Sequence, residues 1–152
     1  MTKNEKKEFD ALIKDFQDLL KANGLKITKQ RDAILETIFT TKKHFTPEEL
    51  NRGVAEKFPH LKVGIATIYR TLLLLENKGI VTSISFGANG KKYEYGKKAH
   101  HDHMICNDCG KLIEFYDETI ENQQIKIAEK NNFKIRTHSM QIYGICEKCQ
   151  KK

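Results

Sequence analysis

All four cysteines and four of the six histidines fall between His100 and Cys149. They run as His100-His101-Asp102-His103-x2-Cys106-x2-Cys109, then His138, then Cys146-x2-Cys149. Two residues between the cysteines of a pair let both sulfurs reach one ion, and a second such pair completes a tetrahedral thiolate shell. The stretch 110–145 is longer than a zinc ribbon allows, so a supersecondary unit must fold between the knuckles and bring them together. The competing readings are unrelated buried cysteines or a redox pair. A redox pair sits at a helix N-terminus after a strand and needs no second pair. Here the pairs read instead as knuckles, Cys109-Gly110 and Gly144-Ile145-Cys146. Structural zinc on Cys106, Cys109, Cys146 and Cys149 is the expectation.

The histidine run takes its meaning from strand geometry. Alternate residues of a strand face opposite ways, so His101 and His103 share one face while His100 and Asp102 share the other. One short strand can therefore supply ligands to two different sites. Shells of imidazole and carboxylate suit Fe²⁺, Mn²⁺, Co²⁺, Ni²⁺ or Zn²⁺, and ligand type alone does not choose among them. Further candidate ligands are Glu94, Glu114, Glu121 and His138, with His44 far upstream. Taken singly, His44 and His138 read as ordinary histidines, and His60 beside Pro59 is given no role.

These residues need a frame. Phe9, Leu12, Ile13, Phe16, Leu19 and Leu20 repeat at helical spacing within 4–22, with Gly24 as a stop. Thr28 caps a second helix carrying Ile34, Leu35, Ile38 and Phe39. Thr46-Pro47-Glu48-Glu49 opens a third, with Thr as cap, Pro at its first position and Glu49 closing a capping box. That helix buries Leu50 and Val54 and stops before Pro59. A fourth starts near Gly64, with Ile65, Ile68, Leu72 and Leu75 on one stripe and Gly79 at its end. Ile80–Phe86, a turn at 87–90 and Lys91–Tyr95 then read as a β-hairpin. Helices followed by a two-stranded ribbon outline a winged helix-turn-helix over 1–95. A hinge follows at 96–99. The remainder, 100–152, reads as a small α/β domain: a strand through His101–Cys106, another at Lys111–Phe115, a helix at 117–130 with Ile120, Ile127 and Ala128 inward, and a long strand from Phe133 to Ile145. In a unit this small a metal staple and dimerisation would both help it hold together. The fold class is therefore α+β.

On the fourth helix Ala66, Tyr69 and Arg70 flank the apolar stripe. An Arg and an aromatic at the exposed start of such a helix can reach base edges and thymine methyls in a major groove. For an isolated helix, a packed Tyr and a solvated Arg would be the better reading; the preceding helices and the following wing favour DNA. Lys26, Lys29, Arg31, Lys91 and Lys92 are candidate phosphate contacts.

The chain's 152 residues carry a net charge of +7, with 39% hydrophobic and 31% charged residues. The excess of cations points to an anionic partner, nucleic acid first. No apolar run approaches the ~20 residues of a membrane span, and no apolar segment follows the charged N-terminus, so a cytoplasmic setting with reduced thiols is expected. A metalloenzyme on the His/carboxylate site would need an open coordination position and a general base; no nucleophile motif or phosphate loop accompanies it. A zinc-stapled interaction module would leave the helix-turn-helix without a purpose.

Taken together, the residues resemble the Fur (ferric uptake regulator) family of metal-dependent repressors. The likeness lies in Gly24-Leu25-Lys26-x-Thr28-x2-Arg31, Gly64-Ile65-Ala66-Thr67-Ile68-Tyr69-Arg70, the His100–Lys111 run, Ile113-Glu114-Phe115 and Tyr143-Gly144-x-Cys146-x2-Cys149. It spans about residue 20 to the end, and residues 1–19 look like an added helix. The resemblance implies a homodimer, with a tetramer as the larger alternative, on a double-stranded DNA operator. It also implies Fe²⁺ as co-repressor, for which Mn²⁺, Co²⁺ or Zn²⁺ can substitute. It assigns His44, Glu94, His101, His103 and Glu114 to a regulatory site bridging the domains, and His100, Asp102, Glu121 and His138 to a further site. Lys26 would enter the minor groove, while Ala66, Thr67, Tyr69 and Arg70 would face the major groove. Peroxide-sensing relatives usually carry Asp at the Glu94 and Glu114 positions, and zinc-sensing relatives bring in another cysteine. Iron sensing is thus the expectation and peroxide sensing the alternative.

Overall fold

The computed structural model describes residues 1–41, 43–85, 90–96 and 100–151. Two compact units divide the chain, Met1–Lys97 and Lys98–Lys152. The expected wing turn and the hinge at 96–99 fall largely on residues 86–89 and 97–99, outside the described residues. No described helix is long and apolar enough to cross a membrane.

The first unit holds α1 (Lys3–Ala22), α2 (Lys29–Thr40), α3 (Pro47–Lys57), α4 (Ile65–Asn77), β1 (Val81–Ser85) and β2 (Lys91–Tyr95). Local chemistry sets most of these ends. Thr2 and Glu5 form a capping box on α1, and Thr46 and Glu49 form another on α3. Thr28 accepts the Arg31 N–H at the start of α2. Gly24 and Gly79 follow α1 and α4 with φ of +66° and +67°, the left-handed conformation that glycine adopts without a Cβ penalty.

The apolar stripe of α1 is not peripheral. Phe9, Leu12, Phe16, Leu19 and Leu20 join one core with Ile34, Leu35 and Ile38 of α2, Leu50 and Val54 of α3, and Ile68, Leu72 and Leu75 of α4. Phe39 links α1 to the wing, its ring 5.3 Å from Phe9 and 5.5 Å from Tyr95. Phe16 has no exposed surface. Phe16→Ala is therefore expected to cost about 3–5 kcal/mol, the usual penalty for emptying a Phe site. Urea unfolding should show a lower midpoint with an unchanged slope. Ile65 corrects the expected stripe of α4. It is 40% exposed, because it lies in the first turn, before the helix enters the core.

β1 and β2 pair antiparallel, Val81 opposite Tyr95 through Ser85 opposite Lys91. A third segment joins them, unforeseen from sequence. Phe45 bridges Tyr93, each donating its N–H to the other's carbonyl at 2.9 and 2.8 Å.

The second unit holds β3 (Asp102–Cys106), β4 (Leu112–Phe115), α5 (Glu118–Lys130), β5 (Gln141–Gly144) and the one-turn α6 (Glu147–Gln150). Its sheet runs β4-β3-β5, with β4 antiparallel and β5 parallel to β3. Two expectations fail here. The long strand from Phe133 shrinks to Gln141–Gly144, because β3 begins only at Asp102. There the Asp102 carboxylate, rather than a strand carbonyl, accepts the Met140 N–H at 2.9 Å. Ile127 is 62% exposed rather than inward, and α5 buries none of its residues. Within this unit only Asp102, His103, Ile105 and Cys106 are buried among the described residues, which is too little apolar surface to hold it alone.

Candidate metal centres and nucleic-acid interface

Because β5 runs parallel beside β3, the segments that follow the two strands leave side by side. Cys106 ends β3 opposite Gly144, the last residue of β5, and the Asn107 N–H donates to the Gly144 carbonyl at 2.8 Å. Each cysteine pair follows one of these strand ends, so the pairs meet. The four sulfurs lie within 4.8 Å of one another, with Cys109 and Cys146 Sγ 3.7 Å apart. Zinc–sulfur bonds of about 2.3 Å give a tetrahedron with edges of about 3.8 Å, so this spacing fits zinc. The Cys146 N–H donates to Cys106 Sγ at 3.3 Å, and this bond, helped by the Cys109 N–H, pulls that thiol down to about 6. Cys149 is pushed up to about 12, first by its hydrogen bond with Cys109. Cys146 proves to cap a short helix after a strand, which is the redox position. The convergence of the second pair, not the local setting, rules for zinc.

The histidines fall into two groups, although His100 and His101 precede β3. His101 and His103 stand together, their rings 4.8 Å apart, and Glu114 faces His103 across the β3–β4 ladder. The ligating atoms of these three lie within 4.8 Å of one another, and His101 Nε2 is 3.9 Å from Glu114 Oε2. His100 joins Glu121 and His138 instead. Its Nε2 is 3.3 Å from Glu121 Oε1, and His138 Nε2 is 2.9 Å from Glu121 Oε2. Glu121 Oε1 and His138 Nε2 are buried yet make no hydrogen bond, although charge-bearing atoms crowd them. Lone pairs converging in that way fit a divalent cation. Asp102 is not one of the three converging residues. It is buried, its Oδ1 holds the Met140 N–H and lies 3.6 Å from His100 Nε2, so it orients the neighbouring ligand.

His44 and Glu94 sit in the first unit. The Phe45–Tyr93 bridge puts their chain neighbours in register, and His44 Nε2 lies 3.4 Å from Glu94 Oε2, both side chains buried. Thr82 Oγ1 donates to the other Glu94 oxygen at 3.4 Å.

The DNA-facing candidates divide. Ala66, Tyr69 and Arg70 are exposed on α4, and Thr67 is half-buried. Thr67 joins Lys26, Thr28, Gln30, Arg31 and Lys62 around a basic hollow. Lys62 escaped the sequence reading because it lies on no motif. Arg31, expected on phosphate, donates to the Lys26 carbonyl and braces that loop. Lys91 spends part of its charge on Glu76 at 3.7 Å. Glu48 was also missed. The signal was there: of the Glu48-Glu49 doublet only Glu49 closes the capping box, leaving Glu48 to accept the Tyr69 hydroxyl at 2.8 Å.

A winged helix followed by an α/β unit with a four-cysteine cluster and histidine–carboxylate clusters points to a class, the metal-binding transcription regulators. Residues 22–143 match the model of the ferric uptake regulator family, and the chain belongs to that family. It is 52% identical over 145 residues to the ferric uptake regulation protein of Campylobacter jejuni, covering 95% of this chain and 92% of that one. The ferric uptake regulator of Helicobacter pylori, described as having three functional metal-binding sites, superposes with a TM-score of 0.82. The two are 33% identical, with 95% of each chain covered. The Francisella tularensis regulator, solved with iron, gives 0.71 at 34% identity over 84% of this chain and 96% of that one.

Proposed function

We propose that the chain is an iron-responsive repressor of iron-acquisition genes, acting in the cytoplasm as a homodimer on a two-fold operator. His44 and Glu94 from the first unit, with His101, His103 and Glu114 from the second, are its regulatory ligands. His100, Glu121 and His138, with Asp102 beside them, hold an additional ion, and the four cysteines hold zinc. The observation that carries the reading is the separation of His101/His103/Glu114 from His100/Glu121/His138 into two ligand sets. Two mixed nitrogen–oxygen sets beside a closed thiolate set are more than a structural staple requires.

These imidazoles and carboxylates would hold Fe²⁺, which would supply the positive charge that offsets their converging lone pairs and favours the DNA-binding conformation of the homodimer; Mn²⁺, Co²⁺ or Zn²⁺ could substitute. The chain's own residues do the rest. α4 presents Tyr69 and Arg70, Lys26 and Lys62 offer charge to phosphates, and Thr46 and Glu49 hold the preceding helix in place. The second unit supports dimerisation by its exposed apolar row. Ile113, Met104 and Ile142 lie in register across the sheet, and Ile125, Ile127 and Phe133 are exposed as well. Glutamate at both 94 and 114 supports iron sensing over peroxide sensing.

An electrophoretic shift at controlled free Fe²⁺, on duplexes selected from a randomised pool, tests the reading. Retardation is expected with Fe²⁺ and not with chelator; equal affinity in both would sink the metal switch. Addition of 16 Da to His44 or His101 after peroxide treatment of the iron-loaded protein would turn the reading to peroxide sensing.

A further inference from the structure

Tyr69 lies on the exposed face of α4, where it is 48% exposed, and its hydroxyl is the donor in the 2.8 Å bond to Glu48 Oε1. Glu48 is the second residue of α3 and belongs to neither partner of that helix's capping box. Its carboxylate takes its own backbone N–H at the helix start and still stands as an anion beside the DNA-facing helix. Both residues line a cleft with Thr46, Pro47 and, from the wing, Lys91 and Tyr93.

A carboxylate at this place repels phosphate, so it weakens binding to every sequence alike unless it serves discrimination. Its partner shows how it would. A free tyrosine hydroxyl both donates and accepts. It can thus donate to guanine O6 or N7 or thymine O4, accept from adenine N6 or cytosine N4, or donate to a phosphate. With its one hydrogen given to Glu48, Tyr69 has only lone pairs left to offer. We propose that Glu48 is a specificity-determining positioning residue that holds the Tyr69 ring in one orientation and restricts its hydroxyl to accepting, so that this position favours an adenine N6 or cytosine N4 amino group in the major groove. The charge state agrees. The Glu48 carboxyl is held below its usual range by its own backbone N–H and then by Tyr69, and that same bond raises Tyr69, so the proton stays on the tyrosine.

The inference rests on major-groove docking of α4, and the experiment separates the two. The full-length metal-loaded protein is used to select duplexes from a randomised pool, and every single-base variant of the selected duplex is then titrated. Selection of a common sequence by the wild-type chain reports docking. Glu48→Ala and Tyr69→Phe are each expected to flatten the preference at one and the same base pair per half-site. The loss should be about three- to tenfold, the range of a single hydrogen bond. The double variant should lose no more than either single one. Glu48→Gln, which keeps a carbonyl acceptor and removes the charge, should retain the preference and bind a scrambled duplex more tightly than wild type. The proposal is overturned if Glu48→Ala shifts all base variants by one common factor, or if Tyr69→Phe keeps the wild-type profile.

Discussion

Stripping zinc from the protein is expected to unfold the second unit and leave the first folded. Among the described residues the unit's buried ones are Asp102, His103, Ile105 and Cys106, of which Cys106 is a candidate zinc ligand and Asp102 and His103 are also ionisable. So small an apolar core cannot offset the chain entropy of a unit of this size. The cysteine cluster ties the β3–β4 hairpin to the segment after β5, closing a long loop between parallel strands. Structural zinc in small domains contributes about 10–16 kcal/mol of apparent binding free energy, and that is folding free energy wherever the apo site does not persist. Hydrogen exchange on the whole chain, before and after chelation or in Cys109→Ser, reads the outcome. Amides of β3 and β5 should lose protection, while those of the β1–β2 hairpin keep it. Unchanged protection of Ile105 in protein shown to be metal-free would refute the staple. Since thiolates are the ligands and Cys149 is pushed up to about 12, zinc uptake must release protons, and apparent affinity should rise with pH.

Replacing His103 by Ala is expected to abolish the iron-dependent gain in DNA affinity. Loss of a residue that merely orients a ligand costs 10–100-fold in metal affinity, so loss of a ligand itself should cost at least about 100-fold. His103 is buried, faces Glu114 across the ladder and meets the His101 ring edge-on, so its imidazole is fixed among the other ligands. Zinc content should stay at the wild-type level, which separates a lost sensor from a lost fold. His101→Ala, at a half-buried position, should give the same loss. Wild-type retardation by His103→Ala at the same free Fe²⁺ would remove it from the regulatory site.

Much of this was readable along the chain, because the signals concerned are local. The Thr46–Glu49 box, the Thr28 cap and the glycine stops act over three or four residues, and the helices began and ended where those residues placed them. Expectations went astray where burial depends on what packs from afar. Ile127 and Ile65 have helical spacing yet stay 62% and 40% exposed, and the segment 133–140 has β-forming residues but meets β3 at Met140, through the His103 N–H and the Asp102 carboxylate, without forming a strand.

By itself, then, the order of residues determined the ligand chemistry, that is, which side chains could bind metal, and the local caps that set the helix ends. Tertiary structure alone decided the partners. The parallel β3–β5 pairing joins the two cysteine pairs. Asp102's grip on Met140 holds the segment that carries His138, the Phe45–Tyr93 bridge sets His44 against Glu94, and the approach of α3 to α4 gives Tyr69 its acceptor. Each is a closure between positions tens of residues apart, whose cost is met by cooperative packing that no local pattern encodes.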